Sequence, residues 1–149
     1  MNEFSVHPAT RLELQEAMAL RIRVFVDIQK FPLEEEVDEH DNDALHFVVT
    51  QGEKVVGTLR VVQMDGVAKI GRVVISPEHQ GHGLGRLLMD RVEAHLATDA
   101  RFKEYEWCKL GSQYDKRVFY EKCGYEARGD IYDELGCPHI WMYKAIIRK

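Results

Sequence analysis

The chain has 149 residues, 45% of them apolar and 30% charged, with a formal charge of −5. That length suits one domain, expected over residues 1–149, and folding at this size removes about 68–70% of the unfolded chain's surface from water. An acidic balance excludes the basic footprint of bulk nucleic-acid binding, and no run reaches the roughly 18–20 apolar residues of a membrane span. The first residues carry no signal-peptide core. Cys108, Cys123 and Cys137 are odd in number and form no CxxC pair. Neither a disulfide framework nor a metal site is expected, and a reducing cytoplasm is the expected location.

In chain order, Phe4-Ser5-Val6 alternates as a short first strand. Thr10 and Glu13 have the spacing of a capping box. Leu14, Ala17, Met18, Arg21, Ile22 and Phe25 then recur at helical spacing, which predicts an amphipathic helix to about Asp27. Pro32 and the polar run Glu34 to Asp43 predict a long acidic loop, mostly solvated. Leu45 to Thr50, Val55 to Gln63 and Ala68 to Ile75 read as three strands of an antiparallel meander, joined by tight turns at Gly52 and Gly66. A glycine-rich turn leads into a helix from Leu84 to Ala97. Tyr105 to Leu110 follows as a strand, and Asp115 to Lys122 as a helix stopped by Gly124. Tyr125 to Ala127 and Ile140 to Ile147 complete the strands. The predicted fold class is α/β, with one mixed, mostly antiparallel central sheet flanked by helices. Only the strands on either side of the Leu84 helix must run parallel, because only that crossover is long.

The most informative stretch runs Val73-Val74-Ile75-Ser76-Pro77-Glu78-His79-Gln80-Gly81-His82-Gly83-Leu84-Gly85-Arg86. An apolar strand ends at Ser-Pro, and a helix begins inside the glycine-rich turn that follows. Glycine permits positive φ and close backbone approach. The free N–H groups at the helix start, with the positive dipole end behind them, suit a phosphate. No GxxxxGK[ST] occurs, and the glycines are spaced GxGxG rather than GxGxxG. Gln80-x-x-Gly83-x-Gly85 after an antiparallel strand instead resembles the acetyl-CoA loop of the GNAT N-acetyltransferase superfamily. Gln113 and Val118 to Tyr125 resemble a later motif of that superfamily. Tyr132 to Ile140, with Gly71-Arg72-Val73, is similar to a branch of small-molecule acetyltransferases that includes glyphosate N-acetyltransferase. The resemblance is strong over about residues 54–145, and Lys116 departs from it by standing where a small residue is usual.

The resemblance implies acetyl-CoA as cosubstrate, held by Val73, Val74, Ile75, Gln80, Gly81, His82, Gly83, Leu84, Gly85, Arg86, Gln113, Phe119 and Tyr120. It implies that the Val74 N–H meets the thioester carbonyl and that the strand splays from its parallel neighbour near Glu106 to Lys109. Transfer to an amine needs an acid for the departing thiolate and a base for the amine proton. Tyr120 fits the acid, since tyrosine ordinarily titrates near 10; the alternative is a core tyrosine beside Phe119 and Tyr125. His139 fits the base, because imidazole titrates near neutrality. Arg72 shares a face with Val74 by strand alternation and needs a partner, either a substrate anion or one of Glu35, Glu36 and Asp38. Arg21, expected on the exposed helix face, and Glu36, at the acidic mouth, are further candidates for acceptor binding. His79 and His82 read as solvent-facing or near a phosphate, and His40 and His46 flank the acidic loop. Arg72 and the acidic loop attract opposite charges, as an amino-acid-like zwitterion requires. The expected reaction is direct acetyl transfer to the primary amine of such a small acceptor, by a monomer or homodimer with no membrane or nucleic-acid partner. Protein, peptide or amino-sugar acetylation is the alternative, as is a non-catalytic CoA-binding module.

Overall fold

The structure, a computed structural model, describes residues 3–148. Its strands are β1 (Phe4–Pro8), β2 (Leu45–Gln51), β3 (Lys54–Met64), β4 (Val67–Ile75), β5 (Trp107–Gln113), β6 (Glu126–Glu134) and β7 (Cys137–Ala145). They form one seven-stranded sheet in the order β1-β2-β3-β4-β5-β7-β6. Among the described residues only β4 and β5 pair parallel, as the long crossover demands. The helices are α1 (Arg11–Arg21), α2 (Leu33–Glu36), α3 (Leu84–Leu96) and α4 (Arg117–Lys122). The capping box at α1 forms in both directions, with Thr10 N–H donating to Glu13 at 2.9 Å and Glu13 N–H to Thr10 at 3.2 Å. Beyond Arg21 the helix continues to Ile28 in a wider π winding, and the Gln29 N–H reaches the Val24 carbonyl at 2.9 Å.

Leu84, Leu88, Met89, Val92 and Leu96 form the apolar stripe of α3, packed on Phe47, Leu59, Ile70, Leu110 and Met142. On the opposite face Ala17, Leu20, Val24 and Phe25 pack on Val48, Val55 and Val74. Covered on both sides, β2 and β3 are near-continuous apolar runs. Each fully buried aliphatic side chain there contributes about 1.5–3 kcal/mol.

Two irregularities in β4 shape everything that follows. Thr58 pairs with Val74 and Arg60 with Gly71, so β4 carries one residue more than β3 across that interval. Arg72 takes up the bulge at φ 54°, and Gly71 beside it is the interior-strand glycine that such bulges favour. Ala68 and Ile70 therefore face α3, and so do Val73 and Ile75 at the opposite parity. Arg72 and Val74 share the other face, as alternation predicts. The second irregularity is the splay. β4 and β5 pair only at Ala68–Cys108, Lys69–Lys109 and Ile70–Leu110. The opening thus starts after Leu110, not near Glu106 to Lys109 as expected.

Other boundaries also move. β5 runs on to Gln113, and β6 and β7 are longer than their apolar segments suggest. β6 is mostly exposed and polar, so it has no alternation to read. Leu135 and Gly136, at φ 52° and 83°, close the β6–β7 hairpin.

The acidic run is solvated only in part: Glu34, Glu35, Glu39 and Asp43 are exposed, but the segment folds into short helical turns. Pro32 opens α2, and Asp38 caps a short helical turn at Glu39–Asn42. Glu36, Asp38 and Asp41 turn inward onto three arginines. Arg21, expected to be exposed, is 1% exposed, because it shares the buried stripe of Ala17 and Leu20. It pairs with Glu36 at 2.9 Å and Asp41 at 2.7 Å. Arg60 pairs with Asp38 at 2.6 Å and Asp41 at 3.0 Å. Arg72 takes the structural partners considered for it, Glu36 at 3.1 Å and Asp38 at 3.4 Å. Guanidiniums on a covered sheet face cannot be left unanswered, which draws the carboxylates in.

Burial alone would raise the Asp41 carboxyl. Hydrogen bonds from Arg21, the Asp38 N–H and Arg60, with the Arg21 charge, hold it well below the usual carboxylate range. A depressed folded-state value stabilises the fold above the unfolded-state value and is lost as pH falls through the folded one. Asp41→Asn should therefore cost about 3 kcal/mol at pH 7, the range for breaking a buried pair. The gap to the parent should hold above about pH 5 and narrow below about pH 4 in urea unfolding.

Candidate active site

The splay opens a cleft of about 650 Å³ between β4 and β5. At one end, Ser76 N–H donates to Val56 of β3 at 2.8 Å. The Ser76 hydroxyl donates to His79 Nδ1 at 2.6 Å, and His79 Nε2 meets Gln51 Oε1 at 3.1 Å, so His79 anchors the turn. The Gln80 amide donates to the Ile75 carbonyl at 3.1 Å. Gly83 caps α3 at φ 78°, a left-handed position where a side chain would be strained. Among the described residues, no heavy atom stands within 4 Å of where a Cβ would project at Gly81 or Gly83, and no side chain caps the helix. The first N–H groups of α3 thus face open space with the positive dipole end behind them.

Of the expected cofactor contacts, Val73, Val74, Ile75, Gln80, Gln113 and Tyr120 line the cleft. Gly81, His82, Gly83, Gly85 and Arg86 are not among the lining residues and follow Gln80 in the turn and the first turn of α3. Leu84 faces the core at 4% exposure, and Arg86 lies 3.7 Å from Asp90. Phe119 packs against Gly85 and meets Tyr120 edge-on at 5.0 Å. The position of Val74 corrects one expectation. Ser76 N–H points to β3, and alternation turns the Val74 amide the same way, toward Thr58. The Val74 carbonyl points to β3 as well. The open edge presents Ile75 and, two residues back, Val73.

Tyr120 lies where α4 meets the cleft, and its hydroxyl makes no hydrogen bond among the described residues. Burial pushes that hydroxyl well above its ordinary value. His139 starts the ladder of β7 opposite Gln113 and is 5% exposed. Its Nδ1–H donates to the Cys137 carbonyl at 2.8 Å, which leaves Nε2 facing Glu134 at 3.3 Å. The Tyr132 ring lies 5.7 Å from the imidazole, and Gly111 makes room for it, since a Cβ there would strike the Tyr132 hydroxyl. Gln113 donates to Gln29 at 2.9 Å, tying β5 to the end of the π turn.

At the far end the wall carries Glu36, Asp38, Arg60 and Arg72. Burial holds the Glu36 carboxyl above the ordinary range, against the pull of Arg72 and Arg21. Arg21 itself stands behind this wall and does not line the cleft. Lys116 does line it, beside Gln113. Sequence reasoning passed over Phe25, Gln29, Arg60, Lys69, Tyr132, Glu134 and Trp141 as cleft residues. For Arg60 a signal existed, a lone charge inside the apolar run Val55 to Gln63.

The acetyltransferase (GNAT) domain family matches residues 13–146. The chain is 35% identical over 133 residues to the uncharacterized N-acetyltransferase YjcF of Bacillus subtilis, covering 89% of this chain and 92% of that protein. A Lactobacillus plantarum crystal structure assigned as an N-acetyltransferase superposes with a TM-score of 0.86 at 30% identity, covering 98% of this chain and 100% of that one. An aminoglycoside 6'-N-acetyltransferase complexed with coenzyme A shares the fold at a TM-score of 0.75 and 18% identity, covering 97% and 98%. With its splayed parallel pair and open helix start, this chain belongs to the GNAT acetyltransferase family and is an N-acetyltransferase.

Proposed function

We propose that the protein transfers acetyl from acetyl-CoA directly to the primary amine of a small, amino-acid-like acceptor, as the small-molecule branch of the family does. The observation that carries this reading is the cleft, whose lining includes Gln80 of the turn that leads into the open start of α3, together with Tyr120, His139 and a charged wall. The same fold with coenzyme A bound, in the aminoglycoside enzyme, supports the choice of donor.

Acetyl-CoA supplies the activated acetyl thioester. The backbone of Gln80 to Gly85 and the first N–H groups of α3 hold its phosphates. The free amides of Ile75 and Val73 on the splayed edge pair with its arm and polarise the carbonyl. Tyr120, protonated at neutral pH because burial raises it, donates to the departing thiolate. His139, its Nδ1–H held by Cys137, accepts the amine proton at Nε2, beside the Glu134 carboxylate. Glu36 and Arg72 form the wall that faces the acceptor. A panel of primary amines with acetyl-CoA, read by free thiol release, tests the reading; turnover confined to peptides or amino sugars would replace it.

Three variants probe its parts. Gly83→Asp should abolish acetyl-CoA binding by calorimetry in a folded protein, since it places a charged side chain in the phosphate space; unchanged affinity would refute the loop assignment. Tyr120→Phe should lower kcat by about 10²–10⁴-fold with acetyl-CoA affinity retained, the usual loss for a general acid. A decrease within about threefold would leave Tyr120 a packing residue. His139→Asn should slow turnover and remove the acid limb of the kcat/KM profile, and a surviving limb would assign it to the amine or to another carboxylate-linked base.

A further inference from the structure

The three arginines at the acceptor end are each answered by carboxylates, and the group is formally neutral. That leaves a different cation for a ligand. Lys69 projects from β4 on the face opposite Ala68 and Ile70, and it lines the cleft with Nζ 5.3 Å from the Trp141 ring centroid. Among the described residues no carboxylate lies within ion-pair distance of it. Half-burial lowers its ammonium's proton affinity; Glu134 pulls it back up, while Arg60, Arg72 and Lys109 lower it further. A partly desolvated ammonium among like charges is costly without a ligand, and an anion beside it relieves that cost. Lys116, the other lysine on the wall, is exposed and stands beside Gln113 rather than at this end. Glu134, at the end of β6, also lines the cleft and lies 3.3 Å from His139 Nε2. The cleft therefore offers a cation and, beside the imidazole, a carboxylate.

We propose that Lys69 binds the carboxylate of the acceptor while the acceptor's amine lies toward His139 and Glu134, which narrows the acceptor class to amino carboxylates. This rests on the small-amine reading above. It replaces Arg72 as the carboxylate ligand, because the Arg72 charge is already offset by Glu36 and Asp38. A lysine suits the task as a compact point charge on a flexible stem.

The test compares Lys69→Met, Lys69→Arg and the parent on glycine, β-alanine, 4-aminobutyrate and the α-amino acids, each beside its carboxamide, with thiol release as the readout. Comparable unfolding midpoints establish that the variants are folded. The parent should prefer carboxylate over carboxamide by about ten- to hundredfold in kcat/KM, carried mainly by KM, the range of a charge-assisted hydrogen bond. Lys69→Met should erase that preference while leaving carboxamide turnover and the KM for acetyl-CoA within about twofold, and Lys69→Arg should keep part of it. A parent with no preference, or a preference that survives Lys69→Met, overturns the assignment and leaves the small-amine reading standing. No turnover on any amine overturns both.

Discussion

A guanidinium that is 1% exposed has to be answered by carboxylates, and the answer to Arg21 organises one side of the molecule. Its stem belongs to the apolar stripe of α1, and its head reaches Glu36 of α2 and Asp41 of the next turn. Those carboxylates, with Asp38, in turn hold Arg60 on β3 and Arg72 on β4. One continuous set of charge-assisted bonds thus joins a helix, a connecting segment and two strands. His46 adds a bond from the neighbouring strand to the Asp41 carbonyl at 2.9 Å. Without the arginines, the acidic connection would have no reason to fold against the sheet, and the cleft would lose its far wall.

The cleft itself is a place where the sheet stops satisfying its own backbone. Three residue pairs hold β4 to β5, and past Ile70 the two strands leave an edge inside the sheet rather than at its rim. Interior N–H and C=O groups without partners are costly. They persist because both strands are pinned elsewhere, β4 by β3 and β5 by β7. The turn after β4 repeats this arrangement at the start of α3, where the first amides also lack intrahelical partners. One chain segment thus supplies two sets of amides left without backbone partners.

Much of this is legible in the residues. Three apolar runs separated by glycine turns imply the meander, the stripe Leu84 to Leu96 implies α3, and Gln80 to Gly85 marks the glycine-rich turn before it. The parallel pair follows from a single long crossover. The splay is not legible, because nothing in Gly111-Ser112-Gln113 distinguishes a paired strand from an unpaired one. The inward turn of Glu36, Asp38 and Asp41 is also hidden, since their partners lie on distant elements and a charge run reads as solvated by composition. The π winding after Arg21 leaves no mark in a periodicity of apolar residues. The family resemblance points to the Val74 amide, whereas the bond from Ser76 to Val56 and strand alternation turn that amide toward β3.

The bulge at Arg72 makes β4 unusually sensitive to the backbone conformation of one residue. Sheets commonly absorb insertions and deletions in their loops, where a changed count alters only local geometry. Here the count is set within the strand, and one residue decides which way the next three amides and side chains face. Straightening the bulge with every residue kept would send Val73 and Ile75 to the α1 side and turn the Val74 amide outward, emptying the open edge of its present donors in a single step. Deleting Arg72 outright would instead keep those facings and remove only the left-handed kink. The side chains around the cleft can change without touching this register, whereas the backbone at Arg72 is held to one conformation.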